Sequence, residues 1–375
     1  MSGRADREVE TPAELERVLA DRGHLRDLVF QGMDLGAVEV DWARVDVKRS
    51  VFVACEFPSA EVEATVRKRG AAVIPNLRDK RPYSVYPPHL YTYEELAPAD
   101  AAIQRWFNRH GVPDPYEPIE AIAQRLHDTA MSDGIGDFLS ARDPERVVGI
   151  MGGHSVGRDS ADYERVVRLA HRLTAAGYLV VTGGGPGIME AGNLGAYLTR
   201  AGDEREIDRA LKRLRQAPVL GRGYAKAAED VHSRLAGGRR QGGESLAIPT
   251  WNYEGEPIGR FATHLAKYFA NSIREDGLLR IARAGVVFAP GGAGTVQEVF
   301  QNGAINAYAK AADQAPMLFV GREHFAATGI YALAASMAER APTPYRHLLK
   351  LTDDLDEALA HIESPPQRPR RGRSR

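Results

Sequence analysis

The chain has 375 residues, of which 43% are hydrophobic and 26% charged, and its formal net charge is -1 at pH 7. This composition is typical of a globular protein with a substantial core, and the length predicts two or three folding units. The near-zero net charge gives no electrostatic argument for nucleic acid or an anionic membrane as a partner. No segment approaches the roughly 20 apolar residues of a membrane helix.

The start of the chain, MSGRADREVETP, is polar and charged, and it lacks the apolar segment of a secretory signal. Cys55 is the single cysteine, which excludes an intramolecular disulfide and favours a reducing compartment. We therefore expect a cytoplasmic protein.

Residues 1–90 are predicted to form an N-terminal accessory region in which apolar residues recur every five positions. These residues are Leu25, Phe30, Leu35, Val40 and Val45, followed after a slip of two by Phe52 and Phe57. The spacing resembles pentapeptide repeats, whose coils stack into a β-helix, but about seven units make fewer than two coils. Two predictions remain open here: a short pentapeptide-repeat-like β element, or a small α/β cap.

Residues 91–145 are predicted to be a mainly helical connector. From residue 146 the sequence alternates between short apolar runs that end in glycine and segments with helical spacing, such as RVVGIM followed by SADYERVVRLAHRLTAAG. This alternation predicts an α/β fold, a doubly wound parallel sheet of Rossmann-like type, over residues 146–350. Within it, residues 200–245 are predicted to be an insertion, partly helical and partly mobile. The proline- and arginine-rich tail, 364–375, is predicted to be disordered.

The first glycine loop lies in TGGGPGIMEAG, residues 182–192. Gly183 and Gly185 match the first two positions of the dinucleotide fingerprint G-x-G-x-x-G, but Ile188 occupies the third. No clear acidic residue follows at the distance where a ribose would be bound, so a dinucleotide-dependent oxidoreductase is disfavoured. Gly184 and Gly185 remain candidates for presenting backbone N–H groups to an anion or a sugar.

The second glycine loop lies in FAPGGAGTVQEVFQ, where Gly291, Gly292 and Gly294 lead into Thr295. At the start of a helix, these residues could hold a phosphate through backbone N–H groups and the threonine hydroxyl. Thr295 and Glu298 also have the T-x-x-E spacing of a capping box, which needs no ligand. The residues alone leave both interpretations open.

Taken together, GGGPGIMEAGNLGA and PGGAGTVQE resemble the paired signature of the LONELY GUY (LOG) family, which is often mislabelled lysine decarboxylase. Residues 290–298 match the family pattern P-G-G-x-G-T-x-x-E at every fixed position. The resemblance spans roughly residues 146–340 and leaves residues 1–145 and the insertion unexplained. Such extended chains resemble the longer nucleotide 5′-monophosphate nucleosidases of the family.

The resemblance implies hydrolysis of the N-glycosidic bond of an AMP-like nucleoside 5′-monophosphate to free base and ribose 5-phosphate. It implies that residues 291–295 bind the phosphate and that Glu298 stabilises the oxocarbenium-like sugar or positions the attacking water. It further implies a homodimer or a higher homo-oligomer. We expect no cofactor and no metal, and no membrane or specific nucleic-acid partner. Lys226, Lys267 and Lys310 lie in no motif typical of a Schiff-base lysine.

The family also uses an arginine in the helix before the PGG strand, typically followed by lysine. Arg274 is our candidate for this catalytic position, although Glu275 stands where the lysine would be and the spacing to Pro290 is one residue longer. Arg280 therefore remains an alternative. The departure also keeps open a second function, that of a nucleotide-binding sensor without cleavage.

Further acidic and basic residues near the glycine motifs carry weaker signals. Glu190 is expected to face the sugar or to cap its helix. Glu254 and Glu256 are candidates for a contact to the base or the ribose. His154, after the first predicted strand, has no motif partner and is treated as incidental.

Overall fold

In the computed structural model, the described residues are 7–77, 81–110, 117–201, 203–235, 243–253 and 255–366. The chain divides into two compact units. The first comprises Met1–Leu90 with Pro98–Ile135, and the second comprises Tyr91–Ala97 with Gly136–Arg375. Two long helices, α3 (Tyr93–His110) and α4 (Pro118–Ser140), occupy most of the predicted helical connector, and each contributes residues to both units.

The first unit contains a four-stranded parallel sheet in the order β1-β2-β3-β4. Its strands are β1 (Glu8–Val9), β2 (Val29–Gln31), β3 (Val51–Val53) and β4 (Ala72–Ile74). Two further helices, α1 (Pro12–Arg22) and α2 (Ala60–Lys68), connect β1 to β2 and β3 to β4. Thr11 and Glu14 form a capping box at the start of α1, which fixes where that helix begins.

Strands β2 and β3 belong to two stacked segments with the same backbone path. Equivalent residues of the two segments are 22 positions apart in the sequence. Val29 pairs with Val51, and the rings of Phe30 and Phe52 stack with centroids 4.4 Å apart. The Arg49 guanidinium binds the carboxylate of Asp27, its equivalent in the other segment.

The backbone conformation repeats as well. Asp27 and Arg49 both have positive φ, as do Gly32 and Ala54. The five-residue spacing correctly places Phe30 and Phe52 in a core, but the repeating unit is 22 residues long and helix α2 follows its second copy. In its described residues, the unit is therefore a small α/β fold with a repeat-like β element and contains no pentapeptide β-helix.

The second unit contains a seven-stranded, wholly parallel sheet in the order β11-β10-β9-β5-β6-β7-β8. Its strands are β5 (Val147–Met151), β6 (Leu179–Thr182), β7 (Ser245–Ala247), β8 (His264–Leu265), β9 (Gly285–Phe288), β10 (Met317–Phe319) and β11 (Leu349–Leu351). Its helices are α5 (Ala161–Ala175), α6 (Ile188–Leu198), α7 (Arg205–Leu214), α8 (Tyr224–Leu235), α9 (Asn271–Ile281), α10 (Ala293–Tyr308), α11 (Arg322–Thr328), α12 (Ile330–Arg340) and α13 (Leu355–Glu363).

Strands β5, β6, β9 and β10 are buried along their whole length, as expected for parallel strands covered by helices. Helices α5, α6 and α13 pack together, and so do α9, α10 and α12. This architecture confirms the predicted doubly wound, Rossmann-like α/β fold. Successive strands run away from β5 in both directions, so the order reverses between β5 and β9, and ligands bind at such a switch point in this fold class.

The ends of the predicted segments differ in detail from the structure. The sheet continues to β11 and is followed by α13, so this unit extends past residue 350. The insertion contains α7 and α8, while its part 236–242 lies outside the described residues, as does 367–375 of the predicted disordered tail. Among the described residues, no helix is both long and apolar enough to cross a membrane.

Candidate active site

Three loops meet at the carboxyl ends of β5, β6 and β9. The N–H of Gly153, after β5, donates to the carbonyl of Pro290, after β9, at 2.9 Å. The N–H of Ile188, at the start of α6, donates to the carbonyl of Gly153 at 3.1 Å. The loop after β5 is thus hydrogen-bonded to both glycine loops, which brings the two motifs together at the switch point.

This meeting depends on glycine. A Cβ on Gly152 would lie 2.5 Å from Cγ2 of Ile188, and a Cβ on Gly291 would lie 2.2 Å from Oγ1 of Thr295. Gly187 has a φ of +67°, and a Cβ there would lie 2.3 Å from the Gly153 carbonyl oxygen. Ile188, which breaks the dinucleotide fingerprint, fills the space that Gly152 leaves.

A cavity of about 290 Å³ opens above these loops. Backbone of the glycine loops and side chains of both charge signs line it. The lining includes Gly152, Gly153, Gly183, Gly292, Ala293, Gly294 and Thr295, together with His154, Ser155, Met189, Thr250, Tyr253, Glu256, Arg274, Glu275 and Glu298.

Helix α10 begins at Ala293 with Gly292 as its N-cap. Thr295 is therefore the third residue of the helix and Glu298 the sixth, so the capping-box interpretation of these two residues is wrong. A Cβ on Gly292 or Gly294 would meet no protein atom within 4 Å. Protein packing does not require glycine at these two positions, and the N–H groups of the first helical turn remain accessible to an anion.

Glu298 lies one turn further into α10 and lines the cavity. Burial raises the pKa of its carboxyl group to about 7. The positive charge of Arg274 lowers that pKa, and the negative charge of Glu275 raises it. At neutral pH this group exists in both protonation states, which suits general acid–base chemistry.

Arg274 is buried in α9 and held by hydrogen bonds from three sides. Its Nε donates to Oδ1 of Asn271 at 2.8 Å, its Nη2 to Oε1 of Glu275 at 3.1 Å, and its Nη1 to the Ile248 carbonyl at 3.4 Å. Arg280, the alternative, is exposed, pairs with Asp276 and does not line this cavity. Of the two arginines, the structure therefore places Arg274 at the candidate site.

Glu275 stands where the LOG pattern has lysine, and it connects two helices. Besides Arg274, it accepts hydrogen bonds from Nδ2 of Asn271 at 2.8 Å and from Nε2 of Gln297 at 2.7 Å. Gln297 precedes Glu298 in α10. Glu275 thus fixes the arginine and braces the helix that carries the glutamate.

Glu256 and His154 also line the cavity. Burial raises the pKa of the Glu256 carboxyl group. A Cβ on Gly185 would lie 2.9 Å from Oε2 of Glu256, so this glycine makes room for the glutamate. His154, to which no sequence motif assigned a role, lies directly after Gly152 and Gly153 at the end of β5. Glu254 lies outside the described residues.

Gly184, Gly185 and Gly291 support the cavity and do not line it. A Cβ on Gly184 would lie 2.8 Å from Cδ of Pro249, so this loop packs closely on the segment after β7. The remaining predicted phosphate ligands, Gly292, Gly294 and Thr295, all contribute to the cavity wall.

Glu190 requires a correction, because it neither caps α6 nor lines the cavity. Its oxygens accept hydrogen bonds from Nε and Nη2 of Arg158 at 2.7 and 2.5 Å, from the Tyr163 hydroxyl at 2.9 Å and from the Tyr224 hydroxyl at 3.0 Å. Arg158 is completely buried. This buried ion pair ties the loop after β5 to α6 and to the start of α8.

The second unit is thus a Rossmann-like α/β fold with a cavity at its switch point, in which a helix N-terminus, a buried arginine and a carboxyl group of raised pKa come together. A comparison with protein-family models found no match, and neither did a comparison with curated proteins.

Among solved structures, the chain is similar to the molybdenum cofactor binding protein from the phototrophic bacterium Rippkaea orientalis. The identity is 15%, the TM-score is 0.36, and the match covers 60% of this chain and 98% of that one. It is also similar to the molybdenum cofactor carrier protein from Chlamydomonas reinhardtii, with 16% identity, a TM-score of 0.33, and coverage of 58% and 95%. The fold assignment rests on the strand order of this chain.

Gly291→Ala and Gly294→Ala test which glycines are required for packing. Because its Cβ would overlap Thr295, Gly291→Ala is expected to lower the free energy of unfolding by about 1–3 kcal/mol. Gly294→Ala should leave it unchanged or raise it by up to about 1 kcal/mol, because alanine favours the helix. Urea unfolding followed by circular dichroism measures both, and equal losses would contradict the assignment.

Glu190→Gln tests the buried ion pair while keeping the side-chain shape. Removing one partner leaves the Arg158 charge buried without compensation, so we expect a loss of about 3–5 kcal/mol in the free energy of unfolding. The matched control is Glu164→Gln, which removes a half-exposed partner of Arg168 and Arg215 and should cost at most about 1 kcal/mol. A similar small loss for both variants would show that Glu190 does not hold the buried arginine.

Proposed function

We propose that this protein hydrolyses the N-glycosidic bond of nucleoside 5′-monophosphates, giving the free base and ribose 5-phosphate. The observation that carries the proposal is the arrangement along α10. An open helix N-terminus, suited to a phosphate, lies one turn before a carboxyl group whose pKa is near neutrality. The LOG-type motif, which matches residues 290–298 at every fixed position, supports the same reaction.

The phosphate would bind the N–H groups around Gly292 and Gly294. These groups have no intrahelical partner in the first turn, and the helix dipole favours an anion there. Since no protein atom occupies the space beside either glycine, a phosphate oxygen can approach the backbone closely. Binding at this point anchors the substrate and orients its sugar.

In the reaction, water attacks the anomeric carbon while the bond from that carbon to the base nitrogen breaks. The electron pair of the broken bond leaves with the base. Glu298 accepts the proton of the attacking water, and its carboxylate stabilises the positive charge that develops on the sugar. The departing base takes up a proton from the surrounding water, and Glu256 contributes to the cavity wall.

Arg274 and Glu275 influence the protonation state of Glu298. Arg274 favours the ionised form of Glu298, and Glu275 opposes it. Since Arg274 is fixed by Asn271 and Glu275 before any ligand arrives, it loses little freedom when it acts. We assign Arg274 to the stabilisation of the Glu298 carboxylate and of the substrate.

Nucleotide binding without cleavage is the second candidate function. It is favoured by one observation: Glu275 engages Nη2 of Arg274 and so withholds part of its charge from a ligand. A sensor would bind the same nucleotides at the same helix N-terminus.

Glu298→Gln separates the two functions. With AMP, GMP, CMP, UMP and IMP as separate substrates, we expect base and ribose 5-phosphate to appear in equal amounts by chromatography. The variant should lose about 10²–10⁴-fold in kcat, because it can neither accept a proton nor carry the charge. The matched control, Glu323→Gln, changes an exposed glutamate of α11 and should keep full activity. Nucleotide binding without base release by the wild-type protein would favour the sensor.

The pH dependence follows from the charges around Glu298. Because its ionised form is the active one, kcat/KM should rise roughly tenfold per pH unit below about pH 7 and level off above it. Glu275→Gln removes a charge that raises this pKa, so the rising limb should move to lower pH. Arg274→Gln removes a charge that lowers it, so the limb of the residual activity should move to higher pH. An activity that falls above pH 7 would instead make Glu298 a proton donor.

A further inference from the structure

The segment 217–224 lies in the insertion, which the LOG-type motifs do not cover, and Arg158 holds both of its ends. The backbone N–H of Arg158 donates to the Pro218 carbonyl at 3.0 Å. Its guanidinium donates from Nη1 to the carbonyls of Ala217 at 3.4 Å and Tyr224 at 3.0 Å, and stacks 3.3 Å from the centre of the Tyr224 ring. We call this segment the clipped loop.

The tip of the clipped loop exposes two adjacent apolar side chains. Val219 is 64% exposed and Leu220 is 43% exposed. They are followed by Gly221 and Gly223, both with positive φ, so the backbone bends tightly back to α8. The fixed ends and the tight bend hold the two side chains outside the core of the second unit.

A second cavity, of about 270 Å³, lies between the clipped loop and the loop after β5. Its walls are mainly apolar, formed by Val156, Pro186, Pro218, Val219 and Leu220, with the Tyr224 ring at one side. Two residues, His154 and Ser155, line both this cavity and the candidate active site. The two cavities therefore adjoin at these two residues.

We propose that the clipped loop forms the apolar wall of the base subsite, and that Val219 and Leu220 contact the flat face of the nucleobase. The inference rests on the proposed function and names where the base binds. In this proposal the phosphate lies at the start of α10, the anomeric carbon at Glu298 and the base toward His154 and Ser155. His154 and Ser155 line both the active-site cavity and the second cavity, whose apolar walls suit the ring of a nucleobase.

A base subsite beside the clipped loop determines which nucleobases bind well. The clipped loop and its surroundings offer apolar contact, and the Tyr224 hydroxyl is already committed to Glu190. Apolar walls discriminate by contact area and only weakly by hydrogen-bonding edge. Nucleotides with purine bases should therefore bind more tightly than those with pyrimidines, and AMP and GMP should differ little.

The test compares AMP with ribose 5-phosphate, which lacks the base. Isothermal titration calorimetry uses the full chain carrying Glu298→Gln, so that no turnover occurs. Adding Val219→Ser and Leu220→Ser together should raise the Kd for AMP about tenfold or more, since two apolar contacts are lost. The Kd for ribose 5-phosphate should not change. Leu333→Ser, at an apolar side chain on α12 that is 54% exposed, is the matched control and should change neither Kd.

The outcomes separate this inference from the proposed reaction. An unchanged Kd for AMP, with base release by the wild-type protein, would overturn the base subsite and leave the hydrolysis standing. A weakened Kd for AMP, with no base release by the wild-type protein, would support the base subsite and overturn the hydrolysis. Equal weakening of AMP and ribose 5-phosphate would show that the clipped loop acts on the phosphate end, which also overturns the inference. If neither compound binds, both proposals are wrong.

Discussion

The close approach of three backbone loops is the constraint on which the candidate site depends. The loops after β5, β6 and β9 meet at distances that only glycine permits, and hydrogen bonds from Gly153 and Ile188 hold them there. The loops bring their own backbone groups to the switch point. The charged side chains of the cavity come from α9 (Arg274 and Glu275), from α10 (Glu298) and from the segment after β7 (Glu256). The site thus combines fixed backbone dipoles with ionisable side chains.

The protonation states of the two buried carboxyl groups, Glu256 and Glu298, depend on opposing effects. Burial favours the neutral form of Glu298 and of Glu256, while Arg274 favours their charged forms. Glu275 shifts the balance again, because it both neutralises part of Arg274 and fixes its orientation. A lysine at this position would add a positive charge and leave Gln297 without its acceptor. The exchange of one residue therefore alters both the electrostatics and the bracing between α9 and α10.

The candidate Arg274 came from the family resemblance, which left Arg280 open. The residues themselves were sufficient to predict the α/β class and two glycine loops that each lead from a strand into a helix. These follow from local patterns and from the rule that parallel strands end at one edge. The T-x-x-E spacing could not decide the role of Thr295, because it fits two positions in a helix and only the N-cap at Gly292 distinguishes them. Glu190 was misassigned because its partners are remote in sequence: Arg158 lies 32 residues before it and Tyr224 lies 34 residues after it. Only tertiary packing reveals such pairs.

The 22-residue repeat of the first unit has a consequence for how its length can vary. Each segment places an aromatic ring and a left-handed residue directly over the equivalent ones of its neighbour, as Phe30 over Phe52 and Asp27 beside Arg49. An added or deleted stretch of 22 residues would preserve this stacking, as the addition or removal of whole repeats does in solenoid proteins. A stretch of any other length between β2 and β3 would offset the rings and separate the charges. Changes in the length of this region are therefore expected to come in steps of 22 residues.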